Sequence, residues 1–249
     1  MNSVYTRIRI LAVEIASCYP PVTFYADYMD QVDYSLDLFM TDPVIGRLRR
    51  HVAENIENDF GHGMAHSIKV ALDAGTLVAV EMHGREVEGP DLAHRVRMAH
   101  CAGLLHDIRR KHADHAAQGA LYAGPVLEDY GFDGADVADI CVAIGNHEAF
   151  KTVAECRSEA GALLSDCLYD ADKFRMGPEN FTHTVWEMLS YADVPLTRFM
   201  ALYPKGMAFL DRIRHTFRSP TGKIYGPRFI DLGLAIGKDL HECIRSEFF

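Results

Sequence analysis

Apolar residues recur along the chain at the three- and four-residue spacing of helices. Between positions 63 and 82, Met64, Ile68, Ala71 and Leu72 begin one apolar stripe, and a second stripe covers much of the remaining circumference. A helix that is apolar on most sides belongs in the interior of a domain. The sequence contains no sustained alternation of apolar and polar residues, which is the pattern of a half-buried strand. The pattern therefore predicts an all-α protein.

Further helices are predicted from the same periodicity and from capping residues. They cover residues 43–56, 92–107, 115–130, 135–147, 159–176, 179–192, 196–217 and 229–245. Asp91 is the predicted N-cap of the second of these helices, and Pro204 should kink or divide the seventh. The glycines and prolines of RSPTGKIYGPR, at residues 218–228, predict a turn-rich loop or a small hairpin before the last helix.

Composition and charge exclude several classes of protein. Thirty-five acidic residues against twenty-five basic ones give a net charge of −10, which argues against a nucleic-acid polymer as the partner. Asp73 and Glu81 interrupt the longest apolar stretch, so no membrane span is expected. Six scattered cysteines without a C-x-x-C pair are typical of a reducing compartment, and Glu14 within the N-terminal apolar stretch disfavours a secretion signal. We expect a cytoplasmic protein.

The histidines are concentrated in the most apolar part of the chain. Eight of the thirteen lie between His62 and His115, where imidazoles serve metal binding or catalysis better than solubility. The pair His106-Asp107 ends an apolar helix. Neighbouring side chains on a helix point about 100 degrees apart, so an ion between them could take a nitrogen from one and an oxygen from the other.

Two further segments contain candidate ligands. His66 lies near the start of the preceding buried helix, and His62 lies four residues earlier, on the same face if the helix extends that far. Asp170 and Asp172 lie in the apolar segment LLSDCLYDADKF, where an unpaired carboxylate is costly. A bound cation would remove that cost.

In this order, the residues resemble the H…HD…D signature of the HD superfamily of metal-dependent phosphohydrolases. The resemblance covers about residues 60–176 and includes H-x-x-x-V at His66, a later histidine at His115 and I-x-x-H ending at His147. It implies an all-α HD-domain helical bundle with additional N- and C-terminal helices. The bundle would hold one or two divalent metal ions, chosen from Mn, Fe, Zn, Co and Mg.

The resemblance also implies a division of the chain. Residues 59–192 would form the metal-binding core, and residues 1–58 an N-terminal helical extension packed on it. Residues 193–249 would supply C-terminal helices and a covering loop of the same domain.

The resemblance assigns roles to individual residues. The implied metal ligands are His66, His106, Asp107 and Asp172; Asp172 is preferred to Asp170 because it is the Asp of the A-D-x-F pattern. His115 and His147 match the ligands of a second metal, and His115 could instead protonate the leaving oxygen. Arg109 and Lys173 are the first candidates for binding phosphate oxygens. Further candidates for supporting the ligands or touching substrate are His62, Asp170, Arg110 and Lys111.

The implied activity is hydrolysis of a small phosphorylated metabolite, a nucleotide or another phosphoester, by water that the metal activates. Alternatives on the same fold are a di-iron oxygenase and a zinc-dependent hydratase or lyase, and a third is a ligand-sensing module without chemistry. Adjacent histidines and a G-Y-P motif are missing from the sequence, which disfavours the cyclic-di-GMP phosphodiesterases. Assembly into a homo-oligomer stays open. Phe181, Trp186, Tyr191 and Phe199 are predicted core residues.

Overall fold

The structure, a computed structural model, describes residues 3–56 and 63–249. Within these ranges it contains twelve α-helices, one π-helical segment and no strand, which confirms the predicted all-α class. The elements are α1 (Ser3–Ser17), α2 (Phe24–Asp27), α3 (Met29–Thr41), α4 (Pro43–Asn55), α5 (Met64–His83), α6 (Gly89–Leu105), α7 (His115–Glu128), α8 (Gly134–Gly145), α9 (Glu159–Phe174), the π-helical segment Asn180–Thr184, α10 (Val185–Tyr191), α11 (Leu196–Ile213) and α12 (Pro220–Phe248).

Five helices, α5 to α9, form the bundle at the centre of the molecule. Helix α5 packs against α6 and α9, and α8 packs against α6, α7 and α9. The backbones of α5 and α6 come unusually close, because a Cβ atom at Gly103 would collide with the backbone of Ala71. His106 lies one turn after Gly103 and His66 just over one turn before Ala71. The close approach therefore brings these two histidines to the same end of the bundle.

The terminal helices cover this bundle and also meet each other. Helix α3 packs against α5, α4 against α6, and α1 against α12. Phe24 of α2 is fully buried between Phe174 of α9 and Tyr225 of α12, with ring centroids 5.3 and 5.5 Å away. Aromatic edge-to-face contacts of this kind add to the hydrophobic burial that holds the layers together. The division at residues 58/59 and 192/193 stays a prediction.

The loop or hairpin predicted at residues 218–228 is wrong. Helix α12 begins at Pro220 and continues to Phe248. The Ser219 hydroxyl accepts a hydrogen bond of 2.9 Å from the Gly222 amide, and proline at the first helical position has no amide hydrogen to satisfy. A Cβ atom at Gly226 would collide with the ring of Phe217. The glycines in this stretch therefore permit close packing of a helix.

Three other predicted helix details differ from the structure. Helix α6 begins at Gly89 with Glu88 as N-cap, one turn before the predicted cap Asp91, because Pro90 is compatible with the first turn of a helix. The predicted helix 179–192 is divided into the π-helical segment and α10. Of the two outcomes predicted at Pro204, division of the helix is wrong, because α11 continues through this residue to Ile213. None of the helices in the described ranges is long and apolar enough to cross a membrane.

Candidate metal centre

Three helices each bring candidate ligands to one buried point. His66 lies in the first turn of α5, His106 and Asp107 directly follow α6, and Asp172 lies in the last turn of α9. All four side chains are buried. Since α6 and α9 both pack against α5, the bundle itself fixes their relative positions.

The distances between the candidate ligand atoms suit one ion. His66, His106 and Asp107 offer ligand atoms that all lie within 4.8 Å of one another. Asp172 Oδ1 lies 3.3 Å from Nε2 of His66 and 3.9 Å from Nε2 of His106. The same His106 Nε2 lies 3.6 Å from Asp107 Oδ2. Atoms that bind one divalent ion at about 2.1 Å are themselves about 3 to 4 Å apart.

The orientation of His106 tests whether the residues fit a metal. Its Nδ1 lies 2.8 Å from the Gly103 carbonyl oxygen, a contact that directs Nε2 towards the centre of the cluster. This buried Nε2 has no hydrogen-bond partner among the described residues. An unpaired buried polar atom costs about 1–3 kcal/mol, which coordination to a cation would remove. The residues present therefore fit a divalent metal ion.

A second group of candidate ligands shares Asp107 with the first. Asp107 Oδ1 lies 3.5 Å from Nε2 of His115 and 3.4 Å from Nε2 of His147. The two imidazole nitrogens are 3.2 Å apart, and the His147 ring is oriented by its Nδ1, 2.7 Å from the Ile144 carbonyl oxygen. Asp107 thus has one oxygen towards each group and could bridge two ions.

Burial and neighbouring charges together set the protonation states that a cation requires. Burial lowers the pKa of His106 to about 3 and the pKa of His115 to about 4, because a charged imidazole loses its hydration. Burial alone would raise the pKa of Asp172, but the charge of Lys173 and a hydrogen bond from His66 hold that pKa well below its usual range. Neutral imidazoles beside an ionised carboxylate are the forms that bind divalent ions.

The predicted phosphate-binding cations occupy different places. Arg109 stacks over the ring of Tyr122, 4.2 Å from its centroid, whereas Arg110 donates a hydrogen bond of 2.8 Å to Nε2 of His115. Lys173 is buried and pairs with Asp172. Lys111 is exposed. Arg110 is therefore the basic residue of the RRK run that lies against the candidate ligands.

Asp170 and His62 complete the predicted set. Asp170 is buried, and its carboxylate accepts hydrogen bonds from the amides of Arg218 and Ser219, at 2.9 and 2.8 Å, and from the Ser219 hydroxyl at 2.7 Å. Burial raises the pKa of Asp170 to about 6. Asp170 thus joins the start of α12 to the helix that carries Asp172. His62 lies outside the described residues.

A cavity of about 560 Å³ begins at the candidate ligands and was not expected from the sequence. His66, Asp172 and Arg110 lie at one end of it, and residues of the π-helical segment, α10 and α11 form its walls. Phe181 is buried as predicted and lines this cavity together with Phe199, whereas the core prediction for Tyr191 is wrong, because its side chain is exposed. One feature of the sequence could have indicated this cavity: Gly206 lies among apolar residues of a predicted helix, where a missing side chain leaves space.

Comparison with known proteins identifies a solved structure with a similar fold. No family model matches the chain, and no curated protein matches its sequence. The chain is similar in structure to a crystal structure of a predicted HD superfamily hydrolase from an uncultured Thermotogales bacterium. The two are 20% identical, the match covers 86% of this chain and 98% of the other, and the TM-score is 0.51. The chain therefore shares the all-helical fold of that protein.

The first four candidate ligands lie on or directly after helices of the bundle. The fold resemblance expected from the H…HD…D motif is confirmed, and buried His and Asp groups that could hold a metal lie where the bundle helices converge. The roles of the individual residues stay predictions.

Proposed function

We propose that this protein is a metal-dependent hydrolase that cleaves a phosphoester bond in a small phosphorylated metabolite, a nucleotide or another phosphoester. The observation that carries the proposal is a buried cluster of His66, His106, Asp107 and Asp172 beside a cavity, in which Nε2 of His106 has no hydrogen-bond partner among the residues that the structure describes. His66 and Asp172 of this cluster line the cavity, so a cation held by the cluster would be within reach of a substrate bound there.

When bound, a divalent cation supplies Lewis acidity, which promotes attack by water near neutral pH and neutralises charge on the phosphoryl group. The residues of the chain have separate tasks. The Gly103 carbonyl oxygen orients the His106 ring, and Lys173 keeps Asp172 ionised. Arg110, which borders both the ligands and the cavity, would pair with phosphate oxygens.

The reaction adds the water oxygen to phosphorus as the ester P–O bond breaks, and the leaving oxygen takes up a proton. His115 is the candidate proton donor if it holds no metal; burial works against the protonated imidazole that this role needs, whereas the carboxylates of Asp107 and Glu148, the latter 3.8 Å from Nδ1, favour it. If a second ion is bound, His115 and His147 would be ligands instead.

The proposal is tested by phosphate release from a panel of nucleotides and phosphomonoesters. The protein is loaded with Mn²⁺, Co²⁺, Mg²⁺, Fe²⁺ or Zn²⁺, and bound metal is quantified before the assay. Asp107→Asn should weaken metal binding by more than about 100-fold, since groups that merely support a ligand already contribute about 10- to 100-fold. Asp129→Asn, an exposed substitution at the end of α7, is the matched control and should retain metal and activity. Absence of phosphate release from metal-loaded protein on the whole panel counts against the proposal.

A di-iron oxygenase is the second candidate, and the group formed by Asp107, His115 and His147 is the observation that favours it. It requires two irons per chain and an oxygen-dependent change in the absorption spectrum. A single bound Mn or Zn that supports phosphate release would remove this candidate.

A further inference from the structure

The cavity at the metal centre has candidate ligands at one end, and the rest of its lining is mostly apolar with a few polar side chains. His66 and Asp172 lie where it meets the candidate ligands, and Arg110 borders the same end. The walls away from the ligands are mainly apolar and include Phe181, Val185, Met188, Phe199, Met207 and Leu210. A volume of about 560 Å³ is that of a site for a whole small molecule, larger than one phosphate group needs.

The rim of this cavity also exposes apolar side chains. Leu202 is 48% exposed and Phe209 is 41% exposed, although both line the cavity. The Phe209 ring packs edge to face on Phe150, which is itself exposed, with ring centroids 5.8 Å apart. Adjoining exposed apolar side chains around a concave surface are typical of a ligand site.

Helix α11 supplies one wall of the cavity, and this wall contains a glycine, Gly206. Phe199, Tyr203, Gly206 and Leu210 recur at helical spacing, and all line the cavity. A Cβ atom at Gly206 would meet nothing within 4 Å. Glycine inside a helix destabilises it relative to alanine, so its presence here needs a local reason. On this face, the missing side chain leaves room for a ligand.

We propose that the part of the substrate that does not react is apolar: an alkyl or aryl group of a phosphoester seated between the π-helical segment, α10 and α11, with its phosphate at the metal centre. This inference rests on the proposed function and narrows its substrate class. The hydroxyls and ring nitrogens of a nucleoside need hydrogen-bond partners when buried. The cavity wall offers few such hydrogen-bond partners: the side chains of Asn180, Thr184 and Lys205. Arg175 also lines the cavity, but it is already paired with Asp73 and Glu179. This lining therefore suits an apolar group better than a nucleoside.

The first experiment measures kcat/KM of metal-loaded full-length protein for n-alkyl phosphates from ethyl to octyl and for nucleoside 5′-monophosphates. Burial of each methylene should raise kcat/KM about fourfold until the cavity is filled. The longer alkyl phosphates should therefore exceed the nucleotides. Phosphate release that is independent of chain length, or fastest with nucleotides, overturns the inference and leaves the proposed function standing.

A binding measurement separates the two proposals. Alkylphosphonates of the same lengths, whose C–P bond is not an ester, are titrated into the metal-loaded protein by calorimetry. Affinity that rises with chain length, together with a negative heat-capacity change, supports the apolar site even if no phosphoester is cleaved, in which case only the proposed function fails. Affinity independent of chain length overturns the inference by itself.

A matched pair of variants locates the effect. Gly206→Leu should lower the octyl-to-ethyl ratio of kcat/KM at least tenfold, because the new side chain takes up space that the longer chain needs. Gly46→Leu makes the same change in α4, where a Cβ atom also meets nothing within 4 Å, and should keep the ratio of the parent protein. Equal ratios in Gly206→Leu and the parent protein would place the apolar group elsewhere and overturn the assignment.

Discussion

The Arg110 guanidinium donates a hydrogen bond to Nε2 of His115 across 2.8 Å. It also lies 3.7 Å from Asp107 Oδ1, on the side of Asp107 that faces the second group of ligands. A second cation would need the lone pair that Arg110 uses, and two positive charges this close repel each other. We expect one divalent ion per chain in the wild-type protein.

Arg110→Met should then allow a second ion to bind to Asp107, His115 and His147. Metal content after dialysis, measured by mass spectrometry, should rise from one ion to two. Arg109→Met is the matched control, because Arg109 stacks on Tyr122 instead, and it should keep one ion. Two tightly held ions in the wild-type protein would contradict this account of Arg110.

Gly103→Ala should reduce both stability and metal affinity. The added methyl group collides with the Ala71 backbone and must push α5 and α6 apart, at a cost of about 1–3 kcal/mol. The same movement separates His66 from His106, so metal affinity should fall as well. Urea unfolding and metal titration measure the two effects. Gly46→Ala, at an unobstructed helical position, should be neutral or stabilising by about 1 kcal/mol.

His100 should make the protein less stable in acid. Burial lowers the pKa of this imidazole to about 3, whereas in the unfolded chain it titrates near the ordinary histidine pKa of 6.5. Between these pH values the unfolded state binds the additional proton, so stability is fully present above pH 6.5 and falls as the pH decreases towards 3. The expected slope is up to about 1.4 kcal/mol per pH unit.

His100→Gln removes this titration and keeps a polar atom for Ser35 Oγ, which lies 2.9 Å from Nε2 of His100. The difference in unfolding free energy between wild type and variant should shrink or reverse as the pH falls from 7 to 5. Urea unfolding at several pH values measures it. Parallel pH profiles for the two proteins would show that His100 does not contribute.

Asp170→Asn should loosen the junction between α9 and α12. The carboxylate of Asp170 accepts three hydrogen bonds from Arg218 and Ser219, and an amide group would present hydrogens to some of these donors. At pH 8, where the carboxyl is ionised, we expect a loss of about 2–3 kcal/mol in unfolding free energy. Chemical denaturation at that pH gives the value. A loss below about 0.5 kcal/mol would mean that water replaces these bonds.

Local sequence signals predicted much of the fold. Helix α9 begins at Glu159 as expected, because Ser158 caps it and its apolar spacing is strong. The prediction for residues 218–228 failed because glycine and proline occur both in loops and at the start or in tightly packed parts of helices. A glycine is needed at position 226 because any side chain there would collide with the ring of Phe217, and this contact forms only when the helix packs.

The sequence by itself determined the helical class and, through the order of His66, His106-Asp107 and Asp172, the fold to which the chain is similar. Only the tertiary structure decided which of these groups face one another, that Arg110 rather than Arg109 borders them, and that a largely apolar cavity opens beside them. The reason is physical: helical periodicity is set by neighbours along the chain. The distance between His66 and His106 depends instead on how closely two helices pack, and the volume of the cavity depends on where α10 and α11 come to lie.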